Sequence, residues 1–380
     1  MKKYIIEKIG LFMSILLTPY AWKKVHEAVN NLNYHNDGNI DFKRKDAYLL
    51  LTNHSFAPDS FAIAVKFRKL PSGLVSRSLL LTLESKYRLL FLARVIPTIQ
   101  GARDLGSLKK AIRTVKKGRG LAIMPEGELT YYGNTLPIDK SIASLAKKLK
   151  VDVITAVAYG GYISKPRWAE HFRDNQYAEI HYETLIPKED LNKYSIDEIH
   201  QMIVSKLEVH PFEWQREHMI KVGGIKRAEG LAGLLYKCPE CGAYNSIITS
   251  GNDIICTSCD SIGTIDEYGF IQGLKYDNTQ DWNDFQEKYI DDLKKTKFKA
   301  TGTLSDVDYK ILKANKIGDV TLEYNNGQIK VTGATELLFD VRDIENMRLT
   351  QRNVITFYHF NVNYYIVMNG KEAAFYKVST

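Results

Sequence analysis

Two short motifs in the first half of the chain contain residue types that can move protons. The first, at residues 53–59, reads Asn-His-Ser-Phe-Ala-Pro-Asp and places His54 five residues before Asp59. If the chain folds back across this turn, the Asp59 carboxylate can reach one ring nitrogen of His54, fix the tautomer and leave the other nitrogen to accept a proton. The spacing alone favours a His54 that merely caps a turn, because such pairs arise easily by chance.

The second motif, Pro125-Glu126-Gly127, favours the chemical interpretation. A glycine permits close approach of a ligand to the backbone, and a neighbouring carboxylate can bind hydroxyl groups. Both motifs follow apolar stretches that are predicted to be buried strands, residues 47–52 and 121–124. If these strands run parallel, both motifs lie at one edge of the sheet, where ligand sites of open parallel sheets are found.

With both motifs in this order, residues 47–160 resemble the 1-acylglycerol-3-phosphate acyltransferase family, whose signature is Asn-His-x4-Asp followed by a Pro-Glu-Gly block. The resemblance implies an O-acyltransferase of phospholipid synthesis. Such an enzyme moves a fatty acyl group from a thioester donor, acyl carrier protein or acyl-coenzyme A, to a hydroxyl of a lysophospholipid or related glycerolipid. By the same resemblance His54 and Asp59 are the catalytic pair. Substrate contacts are expected from Asn53, Arg103, Pro125, Glu126 and Gly127.

The sequence departs from this family pattern at positions that bear on the acceptor. Gln100 and Leu129 stand where the family has arginine, and Glu128 replaces a threonine. A phosphomonoester site usually offers bidentate arginine or several donors. Because Arg103 is then the nearest cation, lysophosphatidic acid is not expected to be the best acceptor. A catalytically lapsed scaffold that binds lipid with the same fold remains a second hypothesis.

Four cysteines form two Cys-x2-Cys pairs with 14 residues between the pairs: Cys238, Cys241, Cys256 and Cys259. This pattern predicts a zinc ribbon, in which four thiolates hold one Zn²⁺ tetrahedrally. Four protein ligands leave no open coordination position, so a structural zinc and no catalytic metal is expected. Zinc ribbons also suggest a nucleic-acid-associated protein, but residues 237–275 carry a net charge of −3, which repels a phosphate backbone.

The positive charge of the chain is concentrated in its first part. Residues 1–150 contain 26 Lys and Arg against 11 Asp and Glu, whereas residues 151–380 contain 26 against 33. A basic half favours an anionic partner, and the motifs favour an anionic membrane surface over nucleic acid. One predicted helix, over residues 105–117, carries a basic stripe that is either a solvated face or a docking site for anionic headgroups. The basic stripe is Lys109, Lys110, Arg113, Lys116, Lys117 and Arg119.

The first residues predict a membrane association without a membrane span. An uncharged run from Ile9 to Trp22 reaches about 21 Å as a helix, which is short of a bilayer core of about 30 Å. An interfacial anchor over residues 1–34 is therefore expected, with an ordinary helix packed on the core as the alternative. Because nothing about the cysteines demands an oxidising compartment, the predicted location is the cytoplasmic face of a membrane, peripheral or monotopic.

Alternating strand and helix patterns predict an α/β acyltransferase domain over residues 35–225, with a mainly parallel sheet covered by helices. One long helix is expected over residues 195–218. The domain is followed by the small zinc ribbon at residues 236–273.

The last part of the chain predicts a different kind of fold. A helical linker is expected at residues 282–298, and period-two alternation around the turn Asn325-Asn326-Gly327 predicts a β-rich domain at residues 300–380. This domain is weakly similar to pleckstrin-homology-like domains, although no closing helix is expected at its end.

Overall fold

The computed structural model describes residue 23 and residues 25–82, 95–98, 104–309 and 311–380. These residues divide into two compact units. Unit 1 comprises the described residues up to Lys165 together with Asn175–Ile220, and unit 2 comprises Pro166–Asp174 and Lys221–Thr380. Across the described part of the chain, every helix is too short or too polar to cross a membrane. The anchor expected over residues 1–34 lies mostly outside the described residues, and the predicted domain boundaries stay predictions.

Unit 1 is built on a seven-stranded sheet whose strand order is β1-β7-β6-β2-β5-β3-β4. The strands are β1 Asn31–Asn36, β2 Tyr48–Thr52, β3 Ser72–Ser76, β4 Ile96–Thr98, β5 Leu121–Ile123, β6 Asp152–Tyr159 and β7 Tyr177–Ile186. The described helices of unit 1 are α1 Asp59–Ala64, α2 Arg77–Thr82, α3 Leu105–Lys116, α4 Ser141–Leu149, α5 Gly161–Ser164, α6 Ile196–Leu207 and α7 Pro211–His218.

Strand β2 lies between β6 and β5 in the interior of the sheet, and all five of its residues are buried. Successive side chains of a strand point to opposite faces of the sheet. Leu49 and Leu51 pack into a core with residues of α3, α4 and α6, whereas Tyr48 and Leu50 pack into a second core with residues of α1. A continuous apolar run is thus explained by burial on both faces, which is typical of a sheet covered by helices on both sides.

The sheet is mainly parallel, as predicted, but β6 and β7 pair antiparallel. The single long helix predicted over residues 195–218 is wrong, since α6 ends at Leu207 and α7 begins at Pro211. Proline lacks a backbone N–H and disfavours helical conformation in the residue before it. His210 accordingly has φ −108° and ψ 90°, and the chain turns between the two helices.

Unit 2 contains two antiparallel sheets. The smaller sheet has the order β11-β10-β9-β8, and the larger sheet has the order β15-β14-β13-β12-β18-β17-β16. The strands are β8 Ile247–Ser250, β9 Asp253–Cys256, β10 Ile262–Ile265, β11 Ile271–Gln272, β12 Phe298–Asp308, β13 Lys313–Asn325, β14 Gln328–Gly333, β15 Leu337–Asp340, β16 Glu345–Thr350, β17 Val354–His359 and β18 Val362–Met368. Helices α8 Thr279–Glu287 and α9 Ile290–Leu293 lie between the two sheets in the sequence.

The end of the chain confirms one prediction and contradicts another. Asn326 and Gly327 connect β13 to β14 with φ angles of 46° and 78°, so a turn is present within the predicted segment, although Asn325 is still paired with Gln328. The expected absence of a closing helix is wrong, because α10 covers Glu372–Val378. Five of its seven residues are buried, so packing stabilises a helix whose seven residues are too few for a strong periodic signal.

Candidate active site

The two sequence motifs meet at one edge of the unit 1 sheet. Strands β2 and β5 run parallel, with Leu51 beside Ile123. His54 follows the end of β2 and Glu126 follows the end of β5, and the His54 backbone N–H donates a 2.6 Å hydrogen bond to Glu126 Oε1. The carboxyl ends of two adjacent parallel strands therefore bring the motifs together, as the sequence predicted.

The predicted contact between His54 and Asp59 is present. Asp59 Oδ2 lies 2.9 Å from His54 Nδ1 and also accepts backbone N–H groups from Ser55 and Phe56, at 3.0 and 3.3 Å. The other carboxylate oxygen accepts the backbone N–H of Ser60 at 2.6 Å. Asp59 is fully buried, so these four bonds hold a carboxylate that water does not reach. Its position therefore does not depend on solvent.

This contact determines which nitrogen of His54 can act on a ligand. A carboxylate only accepts hydrogen bonds, so the proton of a neutral His54 resides on Nδ1 and the lone pair resides on Nε2. The His54 side chain is 25% exposed, and no hydrogen bond to Nε2 is present among the described residues. The arrangement can supply a general base at Nε2 of a partly exposed ring, with a buried anion to stabilise the imidazolium.

Glu126 binds the backbone of His54 through a hydrogen bond. Its Oε1 accepts the His54 N–H, and its Oε2 accepts the Leu136 N–H at 2.7 Å. The Thr130 N–H donates to the His54 carbonyl at 3.1 Å, so both backbone polar groups of His54 are bonded to the segment after β5. Glu126 thus couples the two motifs as a bracing carboxylate whose two oxygens are both occupied.

The pKa of the bracing carboxyl group of Glu126 is raised above its usual value. Burial raises the pKa of Glu126 to about 7, although the hydrogen bonds from the Leu136 and His54 backbone lower it. His54 itself lowers the pKa of Glu126, and Asp59 raises it, both through charge. The carboxyl therefore changes its charge close to neutral pH, in direct contact with the His54 backbone.

Two further contacts fix the turn around His54. The Asn53 side chain is buried and pairs with Ala158 of β6, donating to its carbonyl at 2.9 Å and accepting its N–H at 2.8 Å. Phe56 packs on Gly161, where an added Cβ would lie 2.1 Å from a ring carbon. Asn53 therefore contacts the neighbouring strand in this structure, and its expected substrate contact stays a prediction.

Of the remaining predicted substrate residues, the structure describes Pro125 and Gly127 but not Arg103. Pro125 is half-buried, and Gly127 is exposed with φ +73° and donates its N–H to the Met124 carbonyl at 3.0 Å. Arg103 and Gln100 lie outside the described residues. The roles of Pro125, Gly127 and Arg103 in substrate binding stay predictions.

The basic stripe lies largely in solvent. Five of its six residues are exposed, and Arg119 is half-buried. At the start of the same helix, α3, Leu105 and Leu108 are 65% and 38% exposed. The surface of α3 therefore combines cations with large apolar side chains.

The four cysteines form a second candidate site, in unit 2. Their Sγ atoms all lie within 4.8 Å of one another and could hold a metal ion. Cys238 Sγ lies 4.0 Å from Cys259 Sγ, and Cys241 Sγ lies 3.8 Å from Cys256 Sγ. A disulfide would require about 2.05 Å, so these are free thiols arranged around a common centre.

Sequence reasoning missed the residues that brace the site. Leu136 and Thr130 act through backbone N–H groups, which leave no mark in the side-chain pattern. The sequence gives no signal for the packing of Gly161, because its partner Phe56 is distant in the sequence. By contrast, Glu126 was predicted to bind substrate, which stays a prediction, whereas its hydrogen bonds to the His54 and Leu136 backbone were not predicted.

Comparison with known proteins finds a structural similarity but no match in sequence. No known family model matches the sequence, and no curated protein matches it. Among solved structures, the chain is similar to the 1-acyl-sn-glycerophosphate (LPA) acyltransferase PlsC from Thermotoga maritima, with 16% sequence identity and a TM-score of 0.41. The similarity covers 54% of this chain and 77% of that chain. At this TM-score the likeness carries no information on activity or substrate.

Proposed function

We propose that the protein is an O-acyltransferase that transfers a fatty acyl group from a thioester to a lipid hydroxyl. The observation that carries the proposal is the His54–Asp59 pair at the end of β2, with Nδ1 held by a buried carboxylate and the His54 side chain 25% exposed. The ordered resemblance of residues 47–160 to the 1-acylglycerol-3-phosphate acyltransferase family supports the same activity. The intact pair argues against a lapsed scaffold.

The reaction needs no covalent intermediate. His54 Nε2 takes the proton of the acceptor hydroxyl while the hydroxyl oxygen attacks the thioester carbonyl carbon. The carbon–sulfur bond then breaks, and the imidazolium returns the proton to the leaving thiolate. Asp59 stabilises the imidazolium between these steps, and Glu126 keeps the His54 backbone in place. General base catalysis of this kind contributes about 10²- to 10⁴-fold.

We further propose a lysophospholipid or related glycerolipid as the acceptor and acyl carrier protein or acyl-coenzyme A as the donor. The exposed cations and leucines of α3 suit the cytoplasmic face of an anionic membrane, where such acceptors reside. Leu129 and Glu128 reduce the positive charge of the Pro-Glu-Gly block relative to the family pattern. An acceptor with a less charged or differently placed headgroup than lysophosphatidic acid is therefore expected to compete well.

In unit 2 we propose a structural zinc ion at the four cysteines and a pleckstrin-homology-like role for the larger sheet. Four sulfurs at about 2.3 Å from a tetrahedral zinc lie about 3.8 Å apart. Two of the Sγ–Sγ distances, 3.8 and 4.0 Å, are close to this value, and all four sulfurs lie within 4.8 Å of one another. The seven-stranded antiparallel sheet followed by α10 supports the second part of the proposal.

The proposed activity is tested with the full-length protein, a radiolabelled acyl thioester and a panel of acceptors resolved by mass. One arm uses the acyl carrier protein donor and another the coenzyme A donor, each with lysolipids of different headgroup. The matched control acceptor is the corresponding diacyl lipid, which has no free glycerol hydroxyl. We expect a new ester with at least one lysolipid and none with the diacyl lipid.

Two outcomes would count against the proposal. Release of free fatty acid at the same rate with and without a lysolipid would show a thioesterase, in which water is the acceptor. Binding of lipid vesicles with no acyl transfer in any arm would favour the lapsed scaffold.

A further inference from the structure

A second cluster of metal-ligating side chains lies on the unit 1 sheet, on strands β1 and β7. His35 of β1 is directly opposite His181 of β7 in the parallel register. Glu179 lies two residues before His181, so its side chain lies on the same face of the sheet. The ligand atoms of these three residues all lie within 4.8 Å of one another.

The outer atoms of this cluster are already held by hydrogen bonds. His181 Nδ1 lies 2.8 Å from Asp37 Oδ2, which places a proton on Nδ1 and, in the neutral ring, leaves the lone pair on Nε2. Tyr177 donates its hydroxyl proton to Glu179 Oε2 at 2.7 Å, which leaves Oε1 on the inner side. A histidine whose second nitrogen is bonded to a carboxylate is the usual arrangement of a metal ligand.

The inner atoms are close together but not hydrogen-bonded. His181 Nε2 is buried and has no hydrogen-bond partner in the described part of the chain, although Glu179 Oε1 lies 3.4 Å away. Two ligand atoms at about 2.0 to 2.1 Å from a tetrahedral ion are separated by about 3.3 to 3.4 Å. The separation of these two atoms therefore suits a shared ion better than a direct hydrogen bond.

His35 can complete the set with a small movement. Its ring stacks on the His181 ring, with the ring centres 4.3 Å apart and the planes inclined by 10°. His35 is exposed, so its ring can tilt towards the inner side without displacing core residues. Packing alone would explain the stacked rings, but it would not explain a buried Nε2 left without a partner beside a carboxylate.

We propose that His35, Glu179 and His181 bind a divalent transition-metal ion such as Zn²⁺ or Ni²⁺, with water in the remaining position. Two imidazoles and one carboxylate are suitable ligands for these ions. Asp37 and Tyr177 orient the ligands without touching the metal. The ion would tie the edge strand β1 to β7, and it is distinct from the four cysteines and from His54.

The full-length, tag-free protein is first given no more than one equivalent of zinc per chain, which the four cysteines take up and which leaves the His35, Glu179 and His181 site available. Ni²⁺ is then titrated into this protein in a calorimeter. The retained zinc is measured before and after titration, so that Ni²⁺ at the cysteines is recognised. We expect one added ion per chain and at least a 10-fold weaker Kd in His181→Ala and in Glu179→Gln. Asp37→Asn should weaken binding about 10- to 100-fold, because it removes the group that orients His181.

The matched control is His210→Ala, which removes a histidine of unit 1 outside the cluster. His210 Nε2 lies 3.6 Å from Glu208 Oε1. It should bind Ni²⁺ as the parent protein does. His35→Gln, on an exposed edge-strand position, keeps the test valid if His181→Ala fails to fold. Ni²⁺ should also raise the Tm of the parent protein and not that of His35→Gln. Equal affinity in His35→Gln, His181→Ala and His210→Ala, or no added ion in the parent protein, would overturn the proposal.

Discussion

Replacing Glu126 with glutamine should change how the stability of unit 1 depends on pH. The carboxyl has its usual pKa of 4.5 in an unfolded chain and a pKa of about 7 in the folded protein, mainly because of burial. Folding therefore favours the protonated form, and the associated stability is fully present below pH 4.5. That stability is lost as the pH rises towards 7, since ionisation then opposes folding. A glutamine cannot ionise and lacks this dependence.

The size of the effect follows from the size of the shift. A difference of roughly 2.5 pKa units corresponds to roughly 3 kcal/mol, at 1.36 kcal/mol per unit. The free energy of unfolding of the parent protein, minus that of Glu126→Gln, should therefore fall by roughly 3 kcal/mol between pH 4.5 and 7.5. In addition, the glutamine places its amide NH₂ opposite the backbone N–H of His54 or Leu136, so one of these hydrogen bonds is lost. This loss lowers the free energy of unfolding of the variant by about 1 to 3 kcal/mol at every pH.

The assay is urea unfolding at half-unit pH intervals, followed by circular dichroism in the transition that includes unit 1. The difference between the two proteins cancels the titration of all groups that they share. Glu189→Gln, at an exposed position of the same unit, is the control and should run parallel to the parent protein. If the curves of Glu126→Gln and the parent protein were also parallel from pH 4.5 to 7.5, the account of Glu126 as a brace with a raised pKa would be wrong.

Three further predictions concern the pair, its packing and the cysteines. Asp59→Asn should lower kcat at least 10²-fold with a smaller change in KM, because it no longer fixes the His54 tautomer; an unchanged kcat in steady-state assays would contradict this. Gly161→Ala should destabilise unit 1 by about 1 to 3 kcal/mol in chemical unfolding, because the added Cβ would overlap Phe56. The control Gly73→Ala, whose Cβ meets no atom within 4 Å, should leave the stability unchanged, and equal effects of the two substitutions would refute the packing argument. Cys256→Ser should abolish stoichiometric zinc in anaerobically purified protein and lower its Tm, whereas full zinc content would exclude the proposed site.

Features that depend on neighbouring residues in the sequence were predictable. The apolar run of β2 predicted a buried strand, and the five-residue spacing predicted the contact between His54 and Asp59. The cysteine spacing predicted thiols grouped around one centre. In each case a local pattern is sufficient, because the turn that brings the residues together lies within the motif or has a known geometry.

Features that depend on strand register were not predictable from one sequence. Glu126 contacts the backbone of His54, which is 72 residues away, and a backbone donor has no side-chain signature. The cluster of His35, Glu179 and His181 requires the parallel pairing of β1 with β7, and β1 was not predicted as a strand. The break between α6 and α7 is a different case, since Pro211 was a visible signal that the longer apolar pattern obscured.

The central claim is that His54 is the base for acyl transfer, and one comparison tests it most directly. Turnover of the best acyl donor and acceptor is measured for His54→Ala and for His210→Ala, with circular dichroism to show that both are folded. The account predicts that His54→Ala loses at least 10²-fold in kcat and that His210→Ala keeps the parent rate. Near-parental turnover by folded His54→Ala would contradict the proposed mechanism.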